Sequence, residues 1–161
     1  MTRRVLAAAV LLATLTACGV EPSGVQDGGK APTGVARGVT LYFVDAEGEL
    51  VPSPRPTQRL GTITDALNLL VASSSSSQSD GLHSAFAWQS ALGRSPLVTE
   101  SDELIRINLP LAKYEIAPLG VDQFVCTALG VHRQAGKPAA KVVVTYTIGG
   151  DTEPLSCPVL R

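Results

Sequence analysis

VDQFVCTALGVHRQAGKPAAKVVVTYTIGG, residues 121–150, carries the two periodicities that decide the fold. Val121, Phe124, Val125, Ala128 and Leu129 recur at helical spacing, which predicts a helix over Val121 to His132. Cys126 falls on the flank of that apolar face. Gln134-Ala135-Gly136-Lys137-Pro138 reads as a turn. From Lys141 the period drops to two. Val142, Val144, Tyr146 and Ile148 share one face of a strand, and Gly149-Gly150 breaks it. Pro118 and Gly120 are expected to precede the helix.

Working upstream, Pro96 to Glu100 and Glu103 to Leu109 read as a hairpin turning at Ser101-Asp102. Ile105, Ile107 and Leu109 share one face of its second arm, and Leu104, Arg106 and Asn108 the other. Leu82 to Leu92 is ambiguous between a short helix and irregular chain, and Ser73 to Gly81 is a low-complexity loop. Thr62 to Ala72 reads as another helix, with Ile63, Ala66, Leu67, Leu70 and Val71 on its apolar side. Thr62 suits its N-cap, and Asp65 suits the positive end of its dipole. Val39-Thr40-Leu41-Tyr42-Phe43-Val44 is β-branched and aromatic on both faces, as in a strand covered on both sides. After an acidic turn, Leu50-Val51 opens an extended piece whose Pro52, Pro54 and Pro56 confine it to an edge or to irregular structure. The order of elements predicts an α/β (α+β) fold: a single compact domain over residues 38–161, with a mixed or antiparallel sheet packed by two helices.

The N-terminal 17 residues look like an export signal. Arg3 and Arg4 precede an apolar run from Val5 to Leu15, which is too short to span a bilayer, where about 20 residues are needed. Leu15-Thr16-Ala17-Cys18 matches a bacterial lipobox, so Cys18 is expected to carry a diacylglyceryl group after cleavage. The alternative is an ordinary signal peptide cut near Ala17. Two acyl chains anchor a protein stably where one does not. The expected location is therefore the outer face of the cell membrane, with the membrane itself as one partner, reached through the lipid. Residues 18–37, rich in Gly, Pro and Ser, read as a flexible tether.

Two cysteines remain, Cys126 and Cys157. Outside the cytoplasm they are expected to close one disulfide, the alternative being two buried thiols. Neither has a histidine at ligand spacing, so no metal is expected. Cleavage before Cys18 removes two of 13 basic residues and none of 14 acidic ones, leaving a net charge of about −3. That argues against nucleic acid as a partner, because phosphate binding needs a basic face.

The chain resembles the GerMN domain of bacterial sporulation and germination proteins and of actinobacterial lipoproteins. The likeness rests on Val39 to Val44, on Leu50-Val51 leading to Arg55, on Ala66-Leu67-Asn68-Leu69-Leu70 and on Gly81-Leu82-His83-Ser84-Ala85. It continues through Ile105 to Leu109, Gln123 to Leu129, and Val142-Val143-Val144 before Gly149-Gly150. It covers most of residues 38 to 150. The resemblance implies an α/β domain similar to ring-building modules, without catalytic activity or cofactor, acting through an envelope protein partner or through self-association.

No residue set amounts to a catalytic site. His83 beside Ser84 lacks a Gly-x-Ser-x-Gly elbow, which makes a serine hydrolase the weakest reading. His132 sits where a protonated imidazole favours a helix C-terminus. The clusters Asp45, Glu47, Glu49 and Glu100, Asp102, Glu103 lie on turns, where carboxylates are ordinarily solvated. No glycine-rich phosphate cradle follows a strand. Trp88, Arg55 and Arg59 are candidates for partner contact, Arg94 adding to the same polar face. The second functional reading is a cell-wall or small-ligand-binding lipoprotein with a pocket beneath the serine-rich loop.

Overall fold

A computed structural model describes residues 38–57, 61–74, 80–87 and 95–160. The lipobox with Cys18, the tether, Arg59, most of the serine run, Trp88 and Arg94 lie outside the described residues.

The chain opens with β1 (Val39–Val44) and β2 (Leu50–Arg55), paired antiparallel from Val39↔Arg55 to Val44↔Leu50. Asp45 Oδ1 shapes the turn by accepting from the amides of Glu47 (3.1 Å) and Glu49 (2.8 Å). Despite its prolines, β2 is a regular strand. The reason lies on β1. Tyr42 donates its N–H to Thr127 Oγ1 (3.1 Å), and its carbonyl accepts from Gln123 Nε2 (2.8 Å). Tyr42 therefore turns its backbone away from β2, and its partner Pro52 stands at a position where no ladder donor is required. Pro54 opposite Thr40 has the same parity. The proline rings face outward, as an edge strand tolerates.

The first helix, α1 (Ile63–Ser73), is capped by Thr62, so it begins one residue later than its capping residue. Thr62 Oγ1 accepts from Asp65 N at 3.1 Å and Asp65 Oδ2 accepts from Thr62 N at 2.9 Å, a closed capping box. Ile63, Ala66, Leu67 and Leu70 are buried.

The hairpin of β3 (Leu97–Glu100) and β4 (Leu104–Ala112) turns where expected. Strand β4 continues past Leu109 to Ala112, with Pro110 at a register shift between Leu109 and Ala112. Ile105, Ile107 and Leu109 point into the core. A 3-10 turn (Lys113–Glu115) leads to α2 (Pro118–Gln134). This helix starts a turn earlier than its apolar period suggests. Pro118 occupies the first helical positions, where its missing N–H costs nothing. Gly120, one turn in, is needed for a close approach, since a Cβ there would lie 2.9 Å from the Ile116 side chain and 3.0 Å from the Ala85 carbonyl. Helix α2 is not one-sided. Almost every residue from Gly120 to His132 is buried, Cys126 included at 0% exposure. Gln123, Thr127 and His132 are the buried polar members.

Strand β5 (Lys141–Ile148) pairs parallel to β4, completing a β4-α2-β5 crossover. Val142, Val144 and Tyr146 are buried, but Ile148 is 63% exposed and does not share their core position. It stands beyond the register shift of β4, opposite Ala112.

The fold class is α+β, with two helices on the sheets. The strands form two sheets rather than one: β1-β2, and β3-β4-β5. The hydrogen bonds from Gln123 and Thr127 account for the division. They satisfy the edge of β1 that would otherwise accept a further strand.

Candidate functional site

The disulfide is the clearest constellation. The inward face of α2 places Cys126, and the tail after β5 brings Cys157 to it, with Cα atoms 4.7 Å apart across the bridge. Both residues are buried, Cys157 at 5% exposure. Gly149 and Gly150, with φ of 114° and 72°, reverse the chain in a conformation that glycine adopts without strain. The tail then runs back along β5. Thr152 N donates to Val144 O (2.9 Å), and Leu155 and Val142 exchange bonds of 2.7 and 3.0 Å. Across the outer face, Arg106 holds Asp151 at 2.7 Å and Lys141 bonds Ser156 Oγ. The bridge thus fastens a cover over the outer edge of β5.

Most strand edges are closed in this way. Helix α2 covers β1, the tail covers β5, and β2 presents prolines. Among the described residues, no strand pairs with the outer edge of β3. Ser101 N bonds Leu104 O, which fixes the alternation of this hairpin. Val98 and Glu100 therefore direct their backbone N–H and C=O outward. Leu97, in the same strand, is 68% exposed.

A second surface feature lies at the carboxyl ends of the parallel pair. Pro110, Leu111, Ala112, Tyr114, Glu115, Thr147 and Ile148 line a crevice of about 250 Å³. Tyr114 and Ile148 are among the most exposed large apolar side chains described. The one acid, Glu115, accepts from Ala112 N at 2.6 Å through Oε2. The crevice offers apolar contact with little acid-base chemistry.

The histidines do not form a hydrolytic pair. His83 exchanges two backbone bonds of 2.9 Å with Val44 and exposes its side chain. Ser84 Oγ is buried and has no hydrogen-bond partner among the described residues. His132 is fully buried at the end of α2, with Nδ1 2.6 Å from Glu100 Oε1 and Nε2 2.9 Å from the Pro138 carbonyl oxygen. Lys137 Nζ lies 3.0 Å from the same Glu100 oxygen. Burial alone would raise the Glu100 carboxyl, but the hydrogen bonds and charges of His132 and Lys137 outweigh it and hold the group below its usual range. A depressed carboxyl contributes stability above its unfolded value, and that contribution is lost as pH falls through the folded one. Glu100→Gln is therefore expected to flatten the acid limb of the stability curve in equilibrium unfolding below the ordinary carboxylate range. It should leave stability at neutral pH lower than wild type.

The remaining sequence candidates fall into place. Asp45, Glu47 and Glu49 form the β1-β2 turn. Arg55 ends β2 with its Cζ 5.3 Å from the centroid of the Phe43 ring, a cation-π geometry. Among the described residues, no group of three or more His, Cys, Asp and Glu side chains could hold a metal ion, and no helix is long and apolar enough to cross a membrane. Sequence reasoning missed Gln123 and Thr127, two polar residues inside an apolar helical pattern. A buried polar residue needs a partner, and here all three partners are backbone groups. Comparison of the chain with family models, curated proteins and solved structures finds no match.

Proposed function

We propose that this protein is a lipid-anchored, extracytoplasmic, non-catalytic interaction or scaffolding module of the cell envelope, of the GerMN type. The Leu15-Thr16-Ala17-Cys18 motif carries the reading. The Cys126–Cys157 bridge supports it, because disulfides persist in oxidising compartments. Lipid on Cys18 holds the domain at the membrane, and the domain holds an envelope protein or a second copy of itself. Cys18→Ser is expected to abolish palmitate labelling in cells and to accumulate unprocessed precursor. Continued labelling of that variant would place the lipid elsewhere and remove the anchor.

The contact is proposed at the outer edge of β3, where a partner strand can add to the sheet. Val98 allows a selective test. Its N–H faces outward, so Val98→Pro removes an edge donor without breaking a bond to β4. The expected result is loss of partner crosslinks in cells, with the disulfide still formed and thermal unfolding still cooperative. Crosslinks retained in this variant, but lost on Tyr114→Ser, would move the contact to the crevice. The crevice also keeps a second reading open, a lipoprotein that binds cell-wall fragments. Retention on purified peptidoglycan that depends on Tyr114 would favour it.

A further inference from the structure

The His132 ring is enclosed by two groups that can only accept hydrogen bonds. The Pro138 carbonyl has no proton to give, and it lies 2.9 Å from Nε2. Glu100 Oε1 lies 2.6 Å from Nδ1 and is also within 3.0 Å of the Lys137 ammonium, so it is an ionised acceptor. Two acceptors at those distances require two donors, and an imidazole donates from both nitrogens only when both carry protons. The side chain is at 0% exposure, so water does not supply an alternative partner at the ring. The charged groups around it are Glu100 from β3, Lys137 from the turn and, next along α2, Arg133. Lys141, at the start of β5, turns to Ser156 instead.

We propose that His132 is a buried imidazolium clasp that fastens the turn between α2 and β5, and that this turn is released when the ring gives up one proton. The proton that leaves is the one on Nε2. The Nδ1 proton stays because its bond to a carboxylate is charge-assisted and stronger than a bond to a neutral carbonyl. The lone pair left on Nε2 then faces the lone pairs of Pro138 O in a dry site, which is unfavourable. The chain on either side is held at two further points only a few residues away. Lys137 N donates to His132 O (3.4 Å), and Lys141 N donates to Glu103 O (2.9 Å). These amides report the release. The inference does not depend on the lipid anchor, because it rests on the folded domain alone.

The test combines long-range proton–nitrogen NMR of the His132 ring with amide exchange on the whole chain in detergent, from about pH 5 to about pH 9. Expected at the acid end is a ring protonated on both nitrogens. At higher pH, Nε2 should lose its proton while Nδ1 keeps its own. In the same step, protection factors at Lys137 and Lys141 should fall by about tenfold or more, the equivalent of one lost hydrogen bond, while those of Val142 and Val144 hold. A ring with a single proton throughout, loss from Nδ1 first, or protection that ignores the step would each overturn the proposal. Glu100→Gln serves as a second variant, because a partly exposed carboxylate is exchanged for an amide of the same shape. With the carboxylate charge gone, the ring and amide steps should move together to lower pH. Steps that stay where they are would overturn the clasp.

Discussion

Cys157→Ser lowers the stability of the oxidised protein by about 3–4 kcal/mol. The bridge closes a loop between residues 31 apart in sequence, and the estimate follows from the loop entropy returned to the unfolded chain. For a domain of this size that is a fall in Tm of roughly 10–20 °C. The effect is local as well as global. Without Cys157, the tail is held on β5 by the Leu155–Val142 and Thr152–Val144 bonds and by Arg106–Asp151. Amide exchange should therefore rise first at Thr152 and Leu155, well before β4. The double exchange of Cys126 and Cys157 to alanine should match the single one closely, since both remove the same crosslink. Denaturant unfolding of the oxidised forms measures both. A Cys157→Ser protein as stable as wild type would show that the bridge closes no significant loop in solution.

Gln123→Leu is expected to cost about 2–6 kcal/mol, although it puts an apolar side chain of similar volume into an apolar surrounding. The Gln123 amide serves two backbone groups from different parts of the chain. Its Nε2 donates to Tyr42 O at 2.8 Å, and its Oε1 accepts from Ala85 N at 2.9 Å. Leucine leaves both unpaired, Tyr42 O within the interior, and each orphaned group costs about 1–3 kcal/mol. Thr127→Val should act on the same strand by orphaning Tyr42 N. Because both side chains hold one residue of β1, the two exchanges should not be additive. Chemical denaturation of the single and double variants would show this directly. A Gln123→Leu protein at wild-type stability would mean that β1 finds other partners and that the division into two sheets has another cause.

Much of this architecture was legible in the residues. The strand from Val39 to Val44, the hairpin turning at Ser101-Asp102 and the strand from Lys141 to Ile148 all follow from short-range patterns of apolar residues. The cysteine pair followed from the expected compartment and from count. What could not be read shares one physical cause, which is that it depends on what meets what in space. Nothing near Gln123 in sequence announces that its partners are Tyr42 and Ala85, 81 and 38 residues away. The helix start was misplaced because Pro118 and Gly120 read as breakers, whereas a proline suits a first turn and this glycine is required by the Ala85 carbonyl. Ile148 fits a buried period, yet its neighbour strand shifts register before reaching it. Of the residues considered for contact, Arg55 alone is described, packed over Phe43. The open edge at Leu97–Glu100 depends on which strands pair and on what covers the other edges, and neither is local in sequence.

The prolines of β2 matter most in a crowd. Proteins tethered to one surface collide far more often than the same number dispersed in solution, and they collide in similar orientations. An unguarded ribbon border invites its twin to zip alongside, the first step toward insoluble stacks. From Pro52 to Pro54 that border has carbonyls to offer and no amide hydrogens to answer them, so two such borders have little to exchange there. Copies of this chain packed side by side, as the proposed lipid anchor would hold them, can touch there without sticking.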